Sequence, residues 1–336
     1  MMKKAGFKPH VAGGIEPAAS IGGMFMPPIM GAGGFIMAEL TGEPYSTIML
    51  VAIFPALMYF FSVYVMVHYE AKRHDIRGER SEVKASEIFK REWFYILPLV
   101  SITILMLMGY SPGYSAIIGI VTCIAVSWFR KETRIGPRQF LLASRAGAIN
   151  SLKIGATVGV IGIIIGVLTY SGLVLTFADI VIELADGKLW LTILLIALAS
   201  LILGMGVPVT AAYLITAVVA VPALTELGVN PLAAHMIVYW LSQDSNITPP
   251  VCIAAFAGAT IAKANMWKTA FTAFKFAKFL YLGPFIFGYV PAFSLDGSPT
   301  DIAVAFVLIL IGTWGYSWLL SGIWLSWFNK KAPAAR

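Results

Sequence analysis

The sequence predicts an all-α polytopic membrane protein built as an inverted repeat, with broken helices and a re-entrant hairpin. Three observations predict it. The 336-residue chain is 59% hydrophobic and 12% charged, with a mean hydropathy of +0.82, more apolar surface than a water-soluble domain of this size can bury. Lysines and arginines gather on alternate connections between apolar segments. Two Pro-Pro pairs interrupt apolar runs in the same local context. Soluble linkers are nearly absent, so residues 1–336 read as a single membrane domain.

Apolar runs able to cross about 30 Å of hydrocarbon lie at 47–69, 93–109, 112–129, 154–182 and 302–327. Interrupted runs lie at 11–38, 189–221, 231–262 and 270–293, giving nine membrane elements, some of them broken. Loops that stay in the cytoplasm collect Lys and Arg, which assigns the sides. Lys3, Lys4 and Lys8 put the start inside, and the base-free loop 39–46 with Glu39 and Glu43 lies outside. Residues 70–92 hold seven bases and lie inside; "GYSPGY" at 109–114 is an outer turn; residues 130–153 hold six bases and are inside again. Segments 183–188 and 223–231 are outside, Lys263, Lys268, Lys275 and Lys278 inside, "SLDGSPTD" at 294–301 outside, and the tail with Lys330, Lys331 and Arg336 inside. Both termini are then cytoplasmic, and 23 of the 24 bases are inside, Lys188 being the exception. The net charge of +7 belongs to topology in a lipid bilayer and not to a nucleic-acid partner.

On this path residues 189–221 begin and end outside, so they enter and return as a hairpin. Its tip is "GMGVPVT" at 204–210. Irregular backbone at that depth survives only when buried in protein or lining a wet cavity. A single kinked span instead would put 223–231 inside without one base.

A constant offset of 222 pairs Gly6 with Gly228, Pro9 with Pro231, Ala12 with Ala234, Ile15 with Ile237, Ser20 with Ser242, Pro27 with Pro249, Pro28 with Pro250 and Ala32 with Ala254. By the charge rule the first copy runs outward and the second inward. Opposed copies of one pattern are the plan of many secondary transporters, whose sites use broken helices near the midplane. Residues 1–69 form a partial first repeat, 70–153 cytoplasmic loops and connecting or scaffold helices, 154–293 the second repeat with hairpin 189–221, and 294–336 the last span and tail. A hairpin precedes the second copy and none precedes the first, so we expect an N-terminally truncated fragment that lacks half of its own site.

Pro27, Pro28, Pro249 and Pro250 end helical hydrogen bonding and free peptide groups that can meet an ion or an anionic cargo. Before the second pair stand Ser242, Gln243, Asp244, Ser245, Asn246 and Thr248. An oxygen-rich set without a nearby base suits Na⁺, held by Asp244, Ser245, Asn246 and Thr248, and a membrane carboxylate is functional by default. Thr210, Gly204 and Gly206 approach from the hairpin. Ser20, Gly22 and Gly23 hold the matching place in the first copy, with Glu16 one turn earlier either binding a proton or capping a helix.

The remaining features carry less. His235 reads as interfacial, and His10, His68 and His74 as solvated groups on the basic side. Cys123 and Cys252 read as small buried hydrophobes, not as a disulfide or metal ligands. "GATVGVIGIIIG" at 155–166 has the GxxxG spacing of close helix packing. Trp314, Trp318, Trp324 and Trp327 read as interface anchors. No basic residue stands in the predicted core to name an anion. Nucleophile motifs, metal-ligand spacings and cofactor motifs are lacking, so the chain reads as no enzyme; a channel would need a continuous polar stripe, and a membrane-embedded enzyme or receptor is the reading from another class.

"AGGIEPAASIGGMFMPPIMGAGGFIMAEL", "GMGVPVTAAYLITAVVAVPAL" and "SQDSNITPPVCIAAFAGATIAKANMWKTAF" resemble the large membrane subunit of tripartite ATP-independent periplasmic (TRAP) transporters, specifically the fused permeases of the TAXI branch. The resemblance implies a permease in a bacterial or archaeal cytoplasmic membrane that imports small carboxylates with Na⁺ as the coupling ion. It implies two partners: a periplasmic substrate-binding protein, and a small membrane subunit or the missing N-terminal portion. The breaks around Ser20 to Pro28, Gly204 to Thr210 and Ser242 to Pro250 would then belong to the mobile elevator, and 93–129 to scaffold or linking parts.

Overall fold

Proline and asparagine set where this chain starts its helices. In the structure, a computed structural model describing residues 1–77 and 84–322, Pro9 opens α1 (Pro9–Ile21), where its missing N–H is no loss. Helix α2 (Gly31–Thr41) follows a break, and the 29-residue α3 (Tyr45–Arg73) leaves a turn closed by left-handed Gly42. Next come α4 (Ala85–Glu92), α5 (Leu97–Leu107) and α6 (Pro112–Ser127), the last capped by Ser111 accepting from the Tyr114 amide. Then α7 (Pro137–Tyr170), α8 (Leu173–Leu184), α9 (Leu189–Leu203) and α10 (Val209–Glu226) lead to α11 (Pro231–Leu241), capped by Asn230. The chain continues as α12 (Ile253–Ala262), α13 (Met266–Phe276), α14 (Phe279–Tyr289) and α15 (Pro299–Ser321). The described residues contain no strand.

Four stretches are long and apolar enough to cross a bilayer: α3, α10, the 24-residue Met266–Tyr289 and α15. Three expected spans differ. The run 154–182 is not straight: Val158–Tyr170 and Leu173–Leu184 meet at 75°, turning where Gly172 takes φ +73°, a value an L side chain rarely adopts. The run 93–109 begins as a 3₁₀ turn at Trp93–Ile96 and continues as the 11-residue α5, and 112–129 yields the 16-residue α6; neither is a single α-helix of about 20 residues. They fold back on each other with Ile102 against Gly119. Helix α15 ends at Ser321; the expected continuation to 327, with Trp324, Trp327 and the tail bases Lys330, Lys331 and Arg336, lies outside the described residues, as does Arg80.

The repeat is visible in the backbone at the same offset of 222. Pro9 and Pro231 open helices; Gly22–Met24 and Asp244–Asn246 are 3₁₀ turns; Met30 and Cys252 have φ +48° and +21°; Gly31 and Ile253 begin the next helices. Both Pro-Pro bonds are cis.

Contacts fix the directions. At one end of the bundle Gly6 lies against Ile76, just past α3, and Lys3 Nζ donates to the carbonyl of Ala262 at the end of α12. From there α13 and α14 run to the other end, where Asn230 at the start of α11 bonds Asp296 at 3.3 Å. Helices α1 and α11 therefore enter from opposite ends. Thr225 at the end of α10 lines one cavity with Pro231, Pro291 and Asp296, and Leu189 at the start of α9 packs by Gly288. Both arms of the hairpin thus start and finish at the end where α11 begins, and its tip is at the second break.

Glycine lets α1 approach its neighbours closely. A Cβ on Gly14 would lie 2.8 Å from Thr272 Cβ, and one on Gly13 would lie 2.9 Å from the Gly258 carbonyl oxygen. The GxxxG run of α7 meets no such neighbour among the described residues: Gly155, Gly159, Gly162 and Gly166 have open space where a Cβ would be. The expectation of close packing there is replaced by packing at Gly13, Gly14 and Gly258.

Candidate functional site

The two breaks touch. Phe25 of the first stacks on Trp240 of the second at 4.5 Å, and Tyr59 of α3 sits edge-on to both, at 5.5 and 6.1 Å. Tyrosine hydroxyls meet the carbonyls that broken helix leaves unpaired. Tyr239 OH bonds the carbonyls of Met24, at 2.8 Å, and of Met30. Tyr45 OH donates to Pro28 O at 2.7 Å and lies 3.0 Å from Ile29 O. Tyr59 OH donates to Ala18 O at 2.5 Å.

These three tyrosines escape a reading of motifs because each sits alone in an apolar run. The available signal was chemical: a large apolar ring with one hydroxyl is suited to burial beside a backbone acceptor. Tyr239→Phe keeps the ring and removes the one hydroxyl proton that the Met24 and Met30 carbonyls share. It is expected to lower stability by about 1–3 kcal/mol, read as a lowered midpoint of thermal unfolding in detergent. An unchanged midpoint would show that the clamp contributes nothing.

The second break gathers polar atoms. Asp244 is 3% exposed and Gln243 is fully buried. Asp244 Oδ1, both polar side-chain atoms of Gln243, and Ser200 Oγ on α9 lack a hydrogen-bond partner among the described residues. Leaving each such group bare costs about 1–3 kcal/mol. Ser242 Oγ donates to Tyr239 O at 2.7 Å, Asn246 Nδ2 lies 3.4 Å from Gln243 O, and Thr248 Oγ1 pairs with Tyr281 OH at 2.6 Å. Gly204 brings the hairpin tip onto this turn: a Cβ there would come 2.7 Å from Ser245 Oγ. Only glycine allows that approach.

The predicted residues divide accordingly. Ser242, Asp244, Ser245, Asn246 and Thr248 share the second break, with Gly204 packed on it. Gly206, at φ +78°, is exposed in the hairpin turn, and Thr210 is half-buried in the first turn of α10. Gly22 is buried against Tyr59 and Phe60, and Gly23 has open space around it. Ser20 stands on an exposed face of α1 and donates to Glu16 Oε1 at 3.1 Å. Pro27, Pro28, Pro249 and Pro250 all lie between the helices they interrupt.

Two expectations are corrected. Cys123 on α6 is exposed and not a buried hydrophobe, while His235, early in α11, is buried with its Nδ1 2.8 Å from Tyr213 OH of α10. A basic residue does stand in the core: Lys278 is 4% exposed, with Nζ 3.2 Å from the Ser62 carbonyl of α3.

Residues 1–293 match the family described as "Tripartite ATP-independent periplasmic transporter, DctM component". No curated protein matches the chain.

Proposed function

Because the chain belongs to the DctM component family of tripartite ATP-independent periplasmic transporters, a family of multi-pass secondary-transport permeases, we propose a finer reading. It is a TAXI-type permease that couples Na⁺ entry to import of small carboxylates. Na⁺ is held at the second break by Asp244, Ser245, Asn246 and Thr248, and Gly204, Gly206 and Thr210 carry the hairpin that closes on it. Ser20, Gly22, Gly23 and the proline pairs belong to the same moving region. The membrane is the bacterial or archaeal inner membrane, with both termini cytoplasmic. A periplasmic binding protein delivers the cargo, and a small membrane subunit completes the assembly.

One observation supports this reading above the others: a buried carboxylate oxygen and a buried primary amide stand without partners at a helix break that a hairpin tip touches. A hard cation needs oxygen ligands in such a place, and no buried base neutralises Asp244 among the described ion pairs.

The test is uptake by the chain reconstituted with its binding protein and any small subunit or N-terminal portion. Labelled dicarboxylates, glutamate and sialic acid would be offered with and without an inward Na⁺ gradient. Accumulation of one of them only with the gradient is the expected result. Accumulation indifferent to Na⁺, or flux that never exceeds equilibration, would remove the coupled-carrier reading.

A further inference from the structure

Lys278 lies at the junction of α13 and α14, near the middle of the 24-residue apolar stretch Met266–Tyr289. Nothing assigned to the second break explains it. An ammonium has three donors, and Nζ meets only the Ser62 carbonyl, with no ion pair among the described residues. Ser62 Oγ is itself buried without a hydrogen-bond partner among the described residues. A charged group at this depth with one neutral partner is costly and is kept for function by default.

Lys278 does not face a closed core. It lines a groove of about 570 Å³ with Lys275, Phe274, Tyr281, Leu282, Phe285 and Tyr316; Lys275 is the more exposed of the two lysines. Tyr281, one turn past Lys278, forms part of the wall and sends its hydroxyl to Thr248 of the second break. The groove is therefore mostly apolar and aromatic, carries at its buried end the Lys278 ammonium with unused donors, and is joined to the break that holds Asp244 by the Tyr281–Thr248 hydrogen bond.

We infer that Lys278 is the cationic partner of the cargo, taking a carboxylate on its free donors while the groove walls take the carbon skeleton. This rests on the carboxylate reading above and deepens it by naming the residue that selects an anion. It also gives coupling an electrostatic cause. With the break empty, the Asp244 carboxylate repels an anion approaching Lys278; with a cation bound, the repulsion is cancelled.

The test uses the purified full chain in neutral detergent with saturating Na⁺, reading the unfolding midpoint against acetate, succinate and glutamate. For wild type, at least one carboxylate raises the midpoint and its amide does not. Lys278→Met is expected to weaken that response roughly 100-fold while the shift produced by Na⁺ alone remains, and Lys278→Arg is expected to retain most of it. Without carboxylate, Lys278→Met should unfold no lower than wild type, since it removes a poorly compensated buried charge.

Several results would overturn the inference. A full carboxylate response in Lys278→Met does so and leaves the carboxylate reading standing, whereas wild type answering to no carboxylate removes both. A lowered midpoint in ligand-free Lys278→Met marks a structural lysine. A Lys278-dependent shift produced by phosphatidylglycerol and not by the small acids assigns the groove to lipid.

Discussion

Asp244→Asn is expected to abolish Na⁺-driven uptake while leaving the fold intact. The substitution keeps shape and removes one negative charge from a residue that is 3% exposed, with one carboxylate oxygen unpaired. If a cation completes that site, losing its only carboxylate should weaken Na⁺ by about 100-fold or more, since breaking a buried charge pair costs roughly 3–5 kcal/mol. Stability without Na⁺ should hold or rise, because an amide is cheaper than an uncompensated carboxylate to bury. A structural role predicts the reverse: a lower unfolding midpoint and an unchanged Na⁺ response. Titrating uptake and midpoint against Na⁺ separates the two, and an unaltered half-saturation by Na⁺ would exclude Asp244 from the ion site.

Trp240→Ala is expected to be the most destabilising single change near the site. Trp240 is 1% exposed, stacks on Phe25, and meets Tyr59, Phe279 and Phe287 at 6.1, 5.9 and 5.7 Å between ring centroids. Gly283 makes room beneath it: a Cβ there would fall 2.6 Å from Trp240 Cζ3. Emptying that volume costs about 3–5 kcal/mol and removes the ring that holds the two breaks together. Thermal unfolding of the purified chain should show a marked fall in midpoint, with Trp240→Phe intermediate. A midpoint equal to wild type would mean that the breaks are held apart from this contact.

Much of the architecture was legible because prolines and charges act through local rules. The offset of 222 located both breaks, and its register extends to 3₁₀ turns and left-handed residues that no charge or hydropathy pattern encodes. The hairpin followed from a base-free loop at 223–231. What was not legible depends on tertiary neighbours. Lys278 reads as an ordinary basic-side lysine beside Lys275, yet α3 covers it. His235 follows a helix-starting proline, and nothing local shows that Tyr213 of α10 meets its ring. Gly172 is one glycine in a continuous apolar run, and nothing local distinguishes a 75° bend there from tolerated helix. The α7 glycines carry a packing motif with no partner among the described residues, whereas Gly13, Gly14 and Gly258 pack closely without one. The site was legible in part. Sequence placed Asp244 and its neighbours together, but Ser200 and the three tyrosine clamps come from elements whose proximity the chain order does not reveal.

Two broken helices enter from opposite faces and meet at their breaks. Cysteine labelling from each side tests this most directly. With Cys123 and Cys252 replaced by serine, a single cysteine would be placed at His10, where α1 begins, or at Asn230, where α11 begins, and intact vesicles exposed to a membrane-impermeant maleimide. The account predicts that one site reacts in sealed vesicles and the other only after permeabilisation. Reaction of both from the same face would contradict it.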